Sequence, residues 1–191
     1  MTQAGSFDTI RRFDTIRTNR LLMRRWRDSD RAPFAALNGD PETMKFFPEA
    51  LDRAASDAFA DRIETRFDHL GYGLWALEIA ETGQFIGFTG LTPIASDIPA
   101  SGTEIGWRLA RQAWHHGYAT EAARAALTVA FEGVGLPEVW SFTSVLNEPS
   151  TAVMRRIGMT ELARFDHPRI PAGHPLRPHV LYHLSRPQAG G

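Results

Sequence analysis

Between Trp107 and Phe131 a strand end, Trp107-Arg108-Leu109, runs through a tight polar turn, Gln112-Ala113-Trp114-His115-His116-Gly117, straight into an alanine-rich helix. A strand joined this closely to a helix aims the helix N-terminus, with its unsatisfied N–H groups and roughly half a unit of positive charge, past the strand end. Backbone alone can hold an anion such as a phosphate there, and Gly117 lets the main chain approach it closely. The helix is well marked, because Ala123, Leu127, Ala130, Phe131 and Val134 recur at steps of three and four as one apolar stripe. Thr120 or Tyr118 lies near its start, and Gly133, Gly135 and Pro137 supply its stop. Neither the three spaced glycines of a dinucleotide fingerprint nor the Gly-Lys-Ser/Thr of a Walker loop occurs at this junction. On these residues alone a phosphate site and a plain turn before a core helix stand as equal alternatives.

The rest of the chain supplies elements for one domain. Residues 20–26 read as a first strand, and Asp28-Ser29-Asp30 caps a short helix reaching Asn38-Gly39. Phe59, Ile63, Phe67 and Leu70 recur at helical spacing up to Gly71 and Gly73. A hairpin follows over residues 74–79 and 85–91, then a strand over 103–109. Beyond the long helix come a strand at 139–144, a helix from Pro149 to Ile157 closed by Gly158, and strands at 160–165 and 179–184. This order predicts an α+β fold with a mixed sheet and helices burying both faces. A direct repeat, Phe7-Asp8-Thr9-Ile10-Arg11 and Phe13-Asp14-Thr15-Ile16-Arg17, is too short for a repeat fold; residues 1–18 are expected to form an N-terminal extension, and residues 19–187 the domain.

With 191 residues, 43% of them hydrophobic, the chain can bury one substantial core and hardly two. A formal net charge of −1 provides no global field for nucleic acid or an anionic membrane. Seven arginines between Arg11 and Arg27 interleave with Asp14 and read as a solvated face. Cysteine is absent, which removes disulfides and thiolate chemistry, and no apolar run approaches the roughly 18 residues that span a bilayer. The expected setting is the cytoplasm, as a monomer or homodimer with no membrane or nucleic-acid partner.

Two motifs in order break the tie at the turn. Gly117-Tyr118-Ala119-Thr120-Glu121-Ala122, after the strand Thr103-Glu104-Ile105-Gly106-Trp107-Arg108-Leu109, resembles the acyl-CoA signature of the GNAT acetyltransferase superfamily, and Asn147-Glu148-Pro149-Ser150-Thr151-Ala152-Val153-Met154 resembles the superfamily's next motif. With Trp114 before the glycine turn and Ser150 three residues after Asn147, the chain is similar to the branch that includes the ribosomal-protein N-terminal acetyltransferases. The resemblance implies a mixed, mostly antiparallel sheet of six or seven strands, splayed open between the Glu104 strand and the Val139 strand around an acyl-CoA slot. It also implies acetyl-CoA as co-substrate and an amine acceptor, either a protein N-terminus or a small molecule.

Acetyl transfer to an amine needs a cofactor slot, a base, donors for an oxyanion and a proton for the departing thiolate. By resemblance the pantetheine arm pairs with Trp107, Arg108 and Leu109, and the pyrophosphate rests on Gln112, His116, Gly117, Tyr118, Ala119 and Thr120, with Asn147 touching the arm. An α-amine has a pKa of roughly 8 and a lysine roughly 10.4, so the acceptor arrives protonated and needs a base. Glu104 is the candidate, since its strand leads into the cofactor strip while Ile105 faces the other way; a solvated surface glutamate is the alternative. Many GNAT proteins carry a tyrosine seven residues after the motif asparagine, where this chain has Met154, so the acid is Ser150, a water or Tyr182; Ser150 also reads as an ordinary helix cap, and Asn147 as a turn residue.

The histidines at 167, 174, 179 and 183 invite a metal reading that spacing opposes. His179 and His183 lie about 13 Å apart on a strand, and Pro168, Pro171, Pro175 and Pro178 forbid a helix that gathers the others. The expectation is no metal and an ordered loop near the acceptor. Eight acidic residues between Asp40 and Asp68 face four basic ones, which favours a solvated acidic helix over a wall for a cationic acceptor. Two rival functions remain: a catalytically silent module that binds acyl-CoA as a sensor or partner, and a nucleotide-phosphate protein.

Overall fold

The computed structural model describes residues 13–187. Among these residues eight strands form one sheet: β1 (Thr15–Arg17), β2 (Leu21–Arg24), β3 (Leu74–Ile79), β4 (Phe85–Pro93), β5 (Thr103–Leu109), β6 (Glu138–Ser144), β7 (Thr160–Asp166) and β8 (Pro178–Ser185). Their spatial order is β1-β2-β3-β4-β5-β6-β8-β7, and every neighbouring pair is antiparallel except β5 and β6. The α+β expectation therefore holds, with eight strands in place of six or seven. The additional strand is β1, which lies within residues 1–18 and pairs with Leu22 to Arg24; the first copy of the direct repeat lies outside the described residues.

Five helices cover the sheet: α1 (Arg31–Gly39), α2 (Pro41–Met44), α3 (Arg53–Leu70), α4 (Tyr118–Thr128) and α5 (Glu148–Arg156). No described helix is long and apolar enough to cross a membrane. Asp52 caps α3 by accepting from the Ala55 N–H, and Gly71 ends it with φ 76°. Of the stripe foreseen on α4, Ala123, Leu127, Ala130 and Phe131 are buried and Val134 half-buried, and Ala122 and Ala126 join them inside; the helix continues as a wider turn over Val129–Val134 and stops at left-handed Gly135. Small alanines let α4 lie close over Ile105, Leu109 and Val139 of the sheet, all buried.

Alternation along β5 divides the molecule into two layers. Ile105 and Leu109 enter the α4 core, so Glu104, Gly106 and Arg108 face the opposite side, where Arg108 reaches Asn38 of α1. On that side Phe34 of α1, Phe59 of α3 and Phe88 of β4 pack mutually, tilted or edge to face, at centroid separations of 5.7 to 6.0 Å. β4 can be this closely flanked because Gly90, at φ 153°, leaves no Cβ, which would stand 2.1 Å from the Gly73 carbonyl.

The arginine run is not all solvated face. Arg24 is 5% exposed and binds Asp30 through two N–H groups at 2.7 and 2.9 Å, with Glu78 on Nε at 2.8 Å. β2 is an inner strand, so one member of the charged run must be buried, and its carboxylate partners make that tolerable. Arg25 likewise gathers Asp14, Glu64 and Asp68.

Candidate active site

The sheet opens where β5 meets β6. Their parallel pairing has a single registered pair, Glu104 with Trp140, and the strands part beyond it. On the closed side of β5 the Ala110 N–H donates to the Ile86 carbonyl at 2.9 Å, and the Gly106 carbonyl accepts from the Thr89 hydroxyl at 3.0 Å. Backbone groups alternate in direction along a strand, so the N–H and C=O of Trp107 and the N–H of Leu109 point into the opening. The Leu109 carbonyl already accepts from Trp114 Nε1 at 2.8 Å. What remains is an exposed pairing edge for an extended, amide-bearing ligand.

The opening ends at the glycine turn. Arg111–Ala113 form a single tight turn, His115 takes φ 63° and Gly117 φ 79°, with His116 between them at negative φ. Backbone of alternating hand makes concavities lined by N–H groups. The helix has Gly117 as its N-cap with no side-chain cap, and Tyr118 and Thr120 lie in its first turn, near the start as expected. The Glu121 N–H bonds the Gly117 carbonyl at 3.1 Å, so the amides of Tyr118, Ala119 and Thr120 precede the first intrahelical bond. Gln112, His116 and Gly117 are exposed, which keeps this end accessible. A cleft of about 720 Å³ between the α1–α2 corner and Arg111, Gln112 and Trp114 adjoins the turn, away from Glu104.

Sequence reasoning missed Arg20 here. Its guanidinium donates to the His116 carbonyl at 2.9 Å, pairs with Glu121 at 2.7 Å, lies 4.8 Å from the Tyr118 ring centroid, and stands 3.6 Å from where a Cβ on Gly117 would be. It thus adds a half-exposed positive charge to the amide cluster. Only Glu121 in the first turn of α4 hinted at a cation partner, and nothing in the sequence said which of seven arginines would supply it.

Glu104 lies deep on the α1–α3 side yet keeps part of its surface open. Burial pushes its carboxyl up to about 8, with Arg66 opposing. Arg66 is itself held by the Thr92 hydroxyl at 2.7 Å, and Thr92 is the β4 partner of Glu104. On the β6 flank Trp140 packs at a tilt against His183, centroids 4.3 Å apart, and Glu138 accepts from Trp140 Nε1 and contacts His183 Nε2 at 2.9 Å. Arg108 turns its side chain away from the opening toward Asn38, at 2.6 Å, and by the same alternation its N–H and C=O face β4, so it offers the predicted cofactor strip no open pairing group.

Around α5 the capping role foreseen for Ser150 belongs to Asn147, whose Oδ1 accepts the Ser150 N–H at 3.2 Å while Nδ2 donates to the Thr143 hydroxyl at 2.9 Å. Ser150 is half-buried one turn into the helix. Met154 is 1% exposed within the core, and Tyr182, 3% exposed, accepts from Arg155 at 3.2 Å, which gives this tyrosine a structural partner.

The proline-rich loop is ordered by Arg169, which binds both oxygens of Asp97 at 2.7 Å, and by Ile170 and Leu176, both buried. The loop is therefore ordered, as expected, and joined to the segment between β4 and β5 that carries Asp97. Prolines did exclude a helix, but the hairpin register of Phe165 with His179 still brings the rings of His167 and His179 to 4.7 Å. Burial holds both histidines below the usual imidazole range. Among the described residues no group of three or more histidines and carboxylates converges as a metal site. The acidic run is largely consumed: Asp57, Asp61, Glu64 and Asp68 pair with Arg53, Arg31 and Arg25, and Asp40 and Asp52 cap helices. It offers little net charge to a cationic acceptor.

Comparison with known proteins agrees with this geometry. The family model described as "Acetyltransferase (GNAT) domain" matches residues 20–160. A 167-residue alignment at 34% identity, covering 82% of this chain and 69% of the relative, links it to the "FsC-acetyl coenzyme A-N(2)-transacetylase" of Aspergillus fumigatus. Another, at 31% over 143 residues, covers 74% of this chain and 83% of YkkB of Bacillus subtilis, a protein without an assigned role. Among solved structures, an acetyltransferase from Agrobacterium tumefaciens superposes with a TM-score of 0.74 at 27% identity, over 96% of this chain and 99% of that one.

Proposed function

Because the chain belongs to the GNAT acetyltransferase family, we propose that it moves the acetyl group of acetyl-CoA directly onto a primary amine, of a protein N-terminus or a small molecule, with Glu104 as the base. The observation that carries this reading is the position of Glu104 at the one registered β5–β6 pair, where the splay begins. Acetyl-CoA supplies the activated thioester; the chain supplies alignment, proton transfer and charge stabilisation.

The open amides and carbonyl of Trp107 and the Leu109 N–H suit the amide-bearing pantetheine arm, which would add to β5 as an extended strand. The N–H groups of Tyr118, Ala119 and Thr120, which precede the first intrahelical bond, suit the pyrophosphate together with Gly117 and Arg20. An N–H of β5 facing the opening is also a preorganised donor for the oxygen of the attacked carbonyl.

Glu104 titrating at about 8 matches the roughly 8 of an α-amine, so proton transfer between them is nearly balanced in energy. A low-pKa surface carboxylate would be a far weaker base. Tyr182 keeps its own O–H but is 3% exposed within the core, which leaves the half-buried Ser150 hydroxyl at the start of α5, or a water, as the donor for the leaving thiolate.

Thiol release from acetyl-CoA across a panel of amines and peptides, alongside calorimetry, tests this. Expected are binding of acetyl-CoA and amine-dependent release that Glu104→Gln lowers about 10²- to 10⁴-fold. Tight binding with no release from any amine would instead support a silent acyl-CoA-binding module.

A further inference from the structure

Arg108 shares the Glu104 face of β5, and its guanidinium lies between two aromatic rings, with Cζ 4.1 Å from the Phe47 centroid and 5.5 Å from that of Phe88. One N–H goes to Asn38 Oδ1 at 2.6 Å, a neutral partner. Nε is shielded from solvent and meets no acceptor. Among the described residues no carboxylate offsets the charge, and burial without such a neighbour pulls the group down to about 10, still charged at neutral pH. The contrast with Arg24 is direct, since that buried guanidinium has Asp30 and Glu78. A half-buried guanidinium whose shielded Nε meets no acceptor and which has no counter-ion is left with unused donors, and an anion that arrives from outside would satisfy them.

Gly106 lies between the two groups on the same face. A Cβ there would meet Glu104 Oε1 at 3.6 Å and nothing else within 4 Å, so the space above it is open. Because the Glu104 carboxyl reaches forward over Gly106, it lies about 7 Å along the strand from the base of the Arg108 side chain. Ring-stacked faces leave a guanidinium its in-plane donors, which match the planar fork of a carboxylate.

We propose that the acceptor is an amine that also carries a carboxylate, its amine lying over Gly106 toward Glu104 and its carboxylate received by Arg108. Arg108 is then the specificity-determining residue for the acceptor, and Phe47, on an exposed loop, covers it. This rests on the transferase reading above and names the substrate class for it.

The test uses the wild-type chain with saturating acetyl-CoA and thiol release as readout. The panel holds α-amino acids, short ω-amino acids and dipeptides, each as free acid and as carboxamide, with rates referred to the unprotonated amine. For at least one pair the acid should exceed its amide about 100-fold in kcat/KM. Arg108→Met should bring that ratio close to one, chiefly through KM of the acid, and Arg108→Lys should restore part of it. Phe47→Ala, which leaves β5 unaltered, should raise KM for the acid alone. Release that is indifferent to the carboxylate, or a ratio that survives Arg108→Met, overturns the proposal while leaving the transferase intact. No release with any amine overturns both. If Arg108→Met does not fold, the wild-type ratio and Phe47→Ala decide.

Discussion

Glu104→Gln separates the activity of this site from its energetic cost. The folded chain holds Glu104 at about 8 against 4.5 for the free side chain. A carboxyl raised on folding leaves stability complete below the unfolded pKa and removes it as pH climbs through the folded one. At about 1.4 kcal/mol per pH unit, the native state loses on the order of 3 kcal/mol between pH 5 and pH 8 through this side chain. Glutamine has nearly the same shape and no charge to desolvate. The variant should therefore match wild type at pH 5 and exceed it by on the order of 3 kcal/mol at pH 8, or about 6 to 12 °C in Tm for a chain of this size. Urea unfolding at the two pH values measures the difference, and background titration of other groups cancels. In parallel, wild-type kcat/KM, referred to free amine, should rise about tenfold per pH unit up to about 8 and then flatten, a limb that Glu104→Gln lacks. An equal stability difference at both pH values would refute the desolvation argument, and a pH limb retained in the glutamine variant would refute the assignment of the base.

Gly117→Ala forces a Cβ into a residue at φ 79°, about 1 to 2 kcal/mol of strain, and should weaken acetyl-CoA binding about tenfold by calorimetry; unchanged affinity would move the pyrophosphate elsewhere. Gly90→Ala would set a Cβ 2.1 Å from the Gly73 carbonyl at φ 153° and should destabilise the fold by about 3 kcal/mol or more in urea, whereas a loss under about 1 kcal/mol would show that β3 and β4 can part without penalty.

On the proposed function one strand serves both partners. β5 presents main chain to the opening, Ile105 and Leu109 to the α4 core, and Glu104, Gly106 and Arg108 to the α1–α3 side. Pairing with β4 along its whole length fixes all three directions together. A one-residue slip would bury Glu104 beneath α4 and turn Ile105 to the α1–α3 side.

Local rules were enough for much of this. The α4 stripe, the glycine stop, the hairpin and the strand leading into a glycine turn follow from periodicity and turn chemistry, which act over a few residues, and two motifs in order pointed to the family. The face that Glu104 takes was readable for the same reason, since alternation on one strand sets it opposite Ile105. Other features depend on residues far apart in the chain, and no local pattern encodes them. Arg20 meets Glu121 across 101 positions, Arg24 is buried by its place on an inner strand, and His167 approaches His179 through a hairpin register that proline counting does not address. Asn147 took the cap from Ser150 because a cap is decided by backbone geometry at the helix start. The sequence by itself determined which segments pair, turn and bury; only the tertiary structure decided which charges lie desolvated and which find partners, because desolvation depends on everything packed around a group, not on its neighbours in the chain.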